Sequence, residues 1–496
     1  MNMTTEGAAP IDHIVICGTG LAAHMTAAAL ASQLPPSTRI TLANIGDTSD
    51  TDLFYGSVSA PSAYSFNLSV GLSEPKLLLE SDTAFSWGTK YVQWAGGRRS
   101  WIQCFHLPMP VIEGVLFHHY LAKQGESQLD RYLVSAAAAR RGVFVHPPQR
   151  PGQTGQQPLA RAEYGYQFDP ASYARLFQSS TNGARVRQVD GALAEVECGE
   201  GGISSIRLSD GQLLEADWYV DCTGPGALLL SRLGSAFRGS RRLRAAMTRR
   251  PAAQLGQPVR EIAPKEYGWR AETPLQGCTA LLTVYAPESE TEALSAHGGE
   301  PERGAEVTVG RRADAWSGNC VAIGQAARVV EPLTPAPLML LERDIERLLS
   351  LIPFSREMSV EQREYNRRFA EDHEHAELFT RALFETDGLP DTPYWQAARA
   401  EPLNEKLARK IELFEDRGFL VAYDLEPFHP EDWTTLHYGM GRRAARYDRS
   451  ADRAQPAQVQ SFLSNMKREI DQKVEGLPSH AAYMAELKQY LMQNRR

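Results

Sequence analysis

The sequence predicts an α/β fold: a doubly wound sheet, an interleaved antiparallel sheet and a helical C-terminal part. Three observations predict it. An apolar run, Ile14 to Cys17, turns through Gly18-Thr19-Gly20-Leu21-Ala22-Ala23 into a small-residue helix, and a second apolar run follows at Arg39 to Asn44. Between Val186 and Asp221 apolar and polar residues alternate, with turns at Gly199-Glu200-Gly201-Gly202 and Ser209-Asp210-Gly211. From about residue 355 the chain is strongly charged and patterned as helices. Two regions are expected: 12–355, the α/β part with its interleaved substrate sheet, and 356–496, helices packed on the substrate side.

The elements follow in order. Residues 12–17 read as a buried strand, 21–33 as a helix and 39–44 as the next parallel strand, a βαβ opening. Residues 145–163, VHPPQRPGQTGQQPLARAE, are rich in Pro, Gly and Gln and read as a loop. The alternating stretch reads as an antiparallel meander and ends in Trp218-Tyr219-Val220-Asp221-Cys222-Thr223-Gly224, a strand running into a glycine turn. Further strands are expected over 275–285 and 305–310. Asn319 to Ile323 is a short buried strand ending at Gly324, with a helix from about Leu338.

At 496 residues the chain exceeds one compact core, so two intimately packed domains are expected. A formal charge of −8 argues against nucleic acid or an anionic membrane as partner. The cluster Arg241-Arg242-Leu243-Arg244 is short and reads as a solvated face. The six cysteines lie far apart with no CxxC, which fits a reducing cytoplasm and neither a disulfide framework nor a zinc site. No HxxxH pairing beside carboxylates points to a metal. The N-terminus lacks a basic segment followed by an apolar core, and no apolar run approaches the ~20 residues that cross a bilayer. A soluble, cytoplasmic protein is expected.

The first glycine turn has a physical reading. Gly18 permits the tight turn, Gly20 lets backbone approach a pyrophosphate, and Ala23 keeps the helix close to its strand. The stretch Gly18, Thr19, Gly20, Leu21, Ala22 and Ala23 is therefore the candidate phosphate cradle. Asn44 stands where an acidic ribose ligand belongs, and its amide lacks the charge-assisted part of that bond. Asp47 is the nearest substitute. Two late turns, ending at Gly224 and Gly324, favour FAD over NAD, and no second glycine motif announces a nicotinamide domain.

At this point the chain resembles the flavin-dependent tryptophan halogenases nearly end to end. Gly56-Ser57-Val58-Ser59-Ala60-Pro61 occupies the place of that family's G-E-A-T-I-P loop, which adds Ser57 to the cofactor residues. Tyr164 to Asp169 resembles its Y-A-Y-H-F-D, and Leu214 to Gly224 its L-E-A-D-L-F-I-D-C-S-G. Glu331-Pro332-Leu333, Asp391 to Trp395 and Leu477 to Tyr483 match further signatures. The resemblance implies a flavoprotein monooxygenase/halogenase fold, FAD reduced by a separate flavin reductase, and a peroxyflavin that oxidises halide. The hypohalous acid then reaches a lysine beside the substrate indole, where a glutamate assists.

The sequence departs at each of those points. Gly71 to Trp94 aligns to the family's lysine-bearing helix, with Ser86 at the lysine position and Lys90 one helical turn later. Thr334 takes the glutamate's place. Pro335 and Ala336 replace the pair whose main chain meets halide, and proline has no N–H for an anion. The W-x-W-x-I-P motif is reduced to Trp269-Arg270-Ala271-Glu272-Thr273-Pro274. The expected function is therefore an FAD-dependent monooxygenase on a halogenase scaffold, hydroxylating an electron-rich aromatic via a C4a-hydroperoxyflavin. Its substrate would be an aromatic small molecule or a tryptophan-bearing peptide or protein. A halogenase with a rearranged site using Lys90, and a non-catalytic flavoprotein partner, are the alternatives. The candidate catalytic residues are Glu331, as general base, Lys90 and His106; the candidate substrate contacts are Trp87, Phe105 and Trp269. Ser86 is expected to free volume where the lysine stood.

Overall fold

His13–Cys17 is an inner strand of a six-stranded sheet, flanked in parallel register by Trp218–Asp221 and Arg39–Asn44. This and all that follows comes from a computed structural model describing residues 10–95, 99–148, 158–181, 183 and 185–494; part of the expected 145–163 loop lies outside the described residues. The strand order is Trp316–Ser317, Cys320–Ala322, Trp218–Asp221, His13–Cys17, Arg39–Asn44, Arg187–Asp190. Ile14, Val15 and Ile16 have no exposed surface, as befits strands covered on both faces. The helix Leu21–Gln33 follows directly, as its small residues predict.

The stretch from Val186 to Asp221 is an antiparallel meander only in its middle, where Leu193–Gly199, Gly202–Leu208 and Leu213–Leu214 pair. Its ends, Arg187–Asp190 and Trp218–Asp221, join the parallel sheet. Burial makes the difference: Trp218, Tyr219 and Val220 are fully buried, whereas the strand from Leu193 is mostly exposed.

The second large sheet has eight strands. Its order is Arg328–Val329, Arg303–Arg312, Phe237–Pro251, Cys278–Tyr285, Gly268–Leu275, Arg260–Lys265, Gly88–Ala95, Arg99–Cys104. All neighbours run antiparallel except one seam, where Arg260–Lys265 lies parallel to Gly88–Ala95. The expected helix over Gly71 to Trp94 is therefore corrected. Only Glu74–Glu80 is helical; Ala84–Ser86 and Gly88–Ala95 are strands. Phe85, Trp87, Tyr91 and Val92 favour extended backbone, and that preference wins over the helical register.

Helices Ser359–Ala382, Pro393–Arg399, Glu405–Arg417, Pro430–Gly439, Pro456–Glu475 and His480–Gln493 make up the C-terminal part. They do not form a core of their own. Tyr365 and Phe369 pack into the cluster beneath the parallel sheet, and Phe379, Trp395 and Trp433 into the cluster beneath the antiparallel one. Helix Ala336–Ser350 joins the two: Leu338, Leu341, Ile345 and Leu348 face the first cluster, Met339 and Leu340 the second. No described helix is long and apolar enough to cross a membrane.

Gly88 gives a direct test of the strand assignment. Its φ is +139°, and a Cβ there would lie 2.1 Å from the Gln103 carbonyl oxygen, so backbone must move to admit it. Gly88→Ala should lower stability by about 2–4 kcal/mol in chemical denaturation, far above the ~1 kcal/mol benefit expected in a helix.

Candidate functional site

Helix Leu21–Gln33 begins at Gly20 without a side-chain cap from its own sequence. Its first amide is met from elsewhere: the Leu21 N–H donates to Asp52 Oδ2 at 2.8 Å. Asp52 is buried, and desolvation pushes its carboxyl up to about 7, against the opposing pull of that N–H and of Arg303. A Cβ on Gly20 would lie 2.0 Å from Thr48 Oγ1, and one on Gly224 2.7 Å from Thr48 Cγ2. One on Gly324 would lie 2.3 Å from the Tyr55 hydroxyl. That hydroxyl accepts from the Gln325 N–H at 3.1 Å, while Gln325 Nε2 donates to the Thr51 carbonyl at 2.8 Å. A single stretch, 48–55, thus lies against all three glycine turns that the sequence marks for a cofactor. Arg303 holds it from outside, donating to the Ser49 carbonyl and lying beside Asp50 and Asp169.

The rest of the expected cradle is likewise engaged within the chain. Asn44 Nδ2 donates to Asp190 Oδ1 at 2.6 Å, and Asp47 Oδ1 accepts from the backbone and hydroxyl of Ser49. Thr19 Oγ1 donates to the Gly46 carbonyl at 3.0 Å, and the Ser57 hydroxyl bonds Thr273 at 2.7 Å. A pyrophosphate needs the helix-terminal amides and the space before the glycines. Residues 48–55 pack against these glycines, and Asp52 already holds the Leu21 amide that such a phosphate would use.

A cavity of about 350 Å³ opens on the other side, between the antiparallel sheet, the start of helix Ala336–Ser350 and the C-terminal helices. Its aromatic wall is Tyr91, Phe105, Phe379 and Phe428. Tyr91 is fixed by donating its hydroxyl to the Leu333 carbonyl at 2.8 Å. Thr334 and Pro335 line the cavity too, and the Ala336 N–H donates to Thr334 Oγ1 at 3.2 Å. Neither of the two positions after Thr334 therefore offers a free amide to an anion. His106 sits at the wall, half-buried, its Nδ1 2.5 Å from the Leu107 carbonyl. Desolvation lowers its pKa to about 4, so the ring is neutral at pH ~7.

Of the candidate catalytic and substrate residues, the structure brings Phe105 and His106 to this cavity. Lys90 is not there. Thr89 and Tyr91 line the cavity, so Lys90 points to the opposite face of its strand, with Nζ 2.7 Å from Glu261. Trp87 is fully buried and donates to the Val143 carbonyl at 2.9 Å, with its ring tilted against Phe144. Ser86 does not open volume: it is fully buried and hydrogen-bonded to Gly88.

Glu331 and Trp269 turn out to bind each other. Trp269 Nε1 donates to Glu331 Oε1 at 2.6 Å, Tyr394 donates to the same oxygen, and Arg241 takes the other. Glu331 is 1% exposed, and with both oxygens engaged away from the cavity lining it is a structural knot. Arg241 is accordingly no solvated arginine; of its cluster, only Arg242 and Arg244 face outward, paired with Glu306.

Sequence reasoning missed Thr48, Asp52 and Tyr55 at the cradle and Gln103, Glu163, Glu342 and Glu346 at the cavity. A signal for the first group exists. The run Leu53-Phe54-Tyr55 before Gly56 is too apolar for a solvent loop and must be packed. Glu342 had none, since a charged residue in a helix reads as exposed by default.

A parallel sheet ending in three glycine turns, joined to an antiparallel sheet with a cavity beside it, defines the flavoprotein monooxygenase/halogenase architecture. The tryptophan halogenase family model matches residues 13–456, and the chain belongs to that family, whose members use FAD. It is 23% identical to tryptophan 6-halogenase ThaL of Streptomyces albogriseolus, across 95% of this chain and 97% of that protein. It is also 23% identical to tryptophan 7-halogenase RebH of Lentzea aerocolonigenes, across 82% of each. The structure resembles BrvH, a flavin-dependent halogenase from Brevundimonas sp. BAL3, with a TM-score of 0.87 and 27% identity over 96% of this chain and 99% of that one.

The buried carboxyls set a pH dependence. Asp52 is raised to about 7 and Glu342 to about 8, both by burial, so the folded state holds protons that the unfolded chain releases. Stability from the neutral forms is present at lower pH and lost as pH rises through those values. Thermal unfolding between about pH 5 and 8 should show a midpoint that falls with pH and levels off above, and Asp52→Asn with Glu342→Gln should flatten that slope.

Proposed function

We propose that this chain is a non-halogenating oxidoreductase of the tryptophan halogenase family, acting by oxygen transfer to an electron-rich aromatic ring. One observation carries the reading: the cavity wall where the family handles halide is built from Thr334, Pro335 and a capped Ala336, with no lysine lining the cavity among the described residues. An anion there would meet a single hydroxyl and a proline without N–H, and the guanidinium of Arg343 at the wall is turned to Asp372. The aromatic wall that remains suits an indole or phenol, free or carried on a tryptophan-bearing peptide. FAD would be the cofactor and a separate flavin reductase the source of electrons, as the family membership supports, in a cytoplasmic setting that the unpaired cysteines favour.

A second reading is favoured by the cradle. With Asp52 on the Leu21 amide and Thr48 and Tyr55 against the three glycines, the chain is a family member that binds an aromatic ligand without turnover. The two readings differ in whether 48–55 yields to FAD.

The experiment is a reduced-FAD titration followed by oxygen and a panel of indoles, phenols and tryptophan peptides, with and without bromide. A product heavier by one oxygen and free of bromine is expected; a brominated product overturns the proposal. If wild type takes up no FAD while a variant carrying Asp52→Gly, Thr48→Gly and Tyr55→Phe does, the second reading holds.

A further inference from the structure

The cavity has a charge balance that the aromatic wall alone does not explain. Five carboxylates line it: Glu163, Glu342, Glu346, Glu426 and Asp432. Glu426 is neutralised, accepting from Lys410 Nζ at 3.0 Å and from Trp433 Nε1 at 2.5 Å, and Asp432 accepts from the His429 N–H at 2.8 Å as a helix cap. The guanidinium of Arg343, also at the wall, is turned to Asp372, with Nη2 2.7 Å from its Oδ1. His106 is neutral. Glu163 and Glu342 are left without an ion-pair partner, and burial raises the pKa of both.

Glu342 is the informative one. It is 2% exposed, yet only one of its oxygens is satisfied, by the Ser62 hydroxyl at 2.8 Å; Oε1 has no partner. Gln103 Oε1, on the sheet side of the same cavity, is also buried without a partner. Gln103 Oε1 is an acceptor, and Glu342 Oε1 becomes one once its carboxyl ionises. A buried acceptor without a donor costs about 1–3 kcal/mol, more for a charged group, so the cavity is built for a ligand that brings N–H groups. Glu346 lies one helical turn beyond Glu342 towards solvent, on the same face, and extends the acidic lining to the mouth.

We propose that this cavity is a receptor for a small aromatic cation, an arylalkylamine whose ring lies among Tyr91, Phe105, Phe379 and Phe428 and whose ammonium is taken by Glu342. An ammonium ionises Glu342 and supplies the donor that Oε1 lacks, and the aromatic faces add cation–π attraction. A ligand carboxylate would instead face Glu163, Glu342 and Glu346 with no free cation among the described lining residues. The cavity volume of about 350 Å³ suits one bicyclic ring with a short side chain. The inference rests on this cavity being the substrate site of the reading above, but not on the chemistry performed there.

The test is calorimetric binding to the full chain, without flavin, of tryptamine, tryptophan and indole-3-acetate. Tryptamine should bind at least about tenfold more tightly than tryptophan, and indole-3-acetate should not bind measurably. Glu342→Gln keeps the shape and removes the charge, and it should erase the preference for tryptamine; Glu163→Gln, at a half-buried position, should reduce it and serves if the first variant folds poorly. Equal or tighter binding of indole-3-acetate, or a preference unchanged in both variants, overturns the proposal. Bromination in the earlier experiment would sink the oxygen-transfer reading and leave this one standing.

Discussion

The structure hangs on one buried carboxylate. Glu331 follows the edge strand Arg328–Val329 and gathers Arg241 from the longest strand, Trp269 from the neighbouring region of the sheet, and Tyr394 from a C-terminal helix. Directly after it, Arg260 donates to the carbonyls of Pro332, at 3.0 Å, and Leu333, at 2.8 Å, the latter also accepting from Tyr91. Five residues that lie far apart in sequence thus converge on a three-residue turn. A charge so deeply buried is tolerated only when each lone pair is met, and removing any partner would leave it exposed to a low-dielectric interior. That turn delivers the chain to helix Ala336–Ser350, so it sets the position of the cavity floor and the direction in which Glu342 points.

The knot also explains what the family resemblance preserved. Glu331 and Trp269 read in the sequence as remnants of a reactive site, yet they remain because they hold each other. A motif residue can outlast its chemistry when it is also a tie between sheets.

The framework was legible in sequence because periodicity and glycine turns are local. The strand–glycine–helix opening, the strand at Trp218, the turn at Gly324 and the helical C-terminal part all stand where the residues put them. The failures have physical causes. The strand at Gly88–Ala95 was read as a helix because the resemblance was aligned without weighing its β-branched and aromatic content. Lys90 was assigned to the site through that helix, and a strand's alternation sends it the other way. Arg241 looked solvated because a pair of arginines carries no sign of a distant carboxylate. The glycines of the cradle announce close approach without saying what approaches. Here an approaching group belongs to the same chain, in a stretch that follows Gly20 but precedes Gly224 and Gly324 in sequence. Glu342 was invisible for the opposite reason, since its burial depends on packing between helix Ala336–Ser350 and the helix Ser62–Ser69, far away in sequence.

The single parallel seam in the antiparallel sheet has a consequence for how the chain comes to be folded. Gly88–Ala95 has its hairpin partner Arg99–Cys104 at once, but its other edge stays bare until Arg260–Lys265 has been made. During synthesis that edge, with Tyr91 and Trp94 beside it, is an unpaired strand waiting on well over a hundred residues of intervening chain. Assembly of the substrate side is therefore late and non-local, and a ribosome-bound chain halted before residue 260 would carry an exposed, aggregation-prone edge that the finished protein nowhere shows.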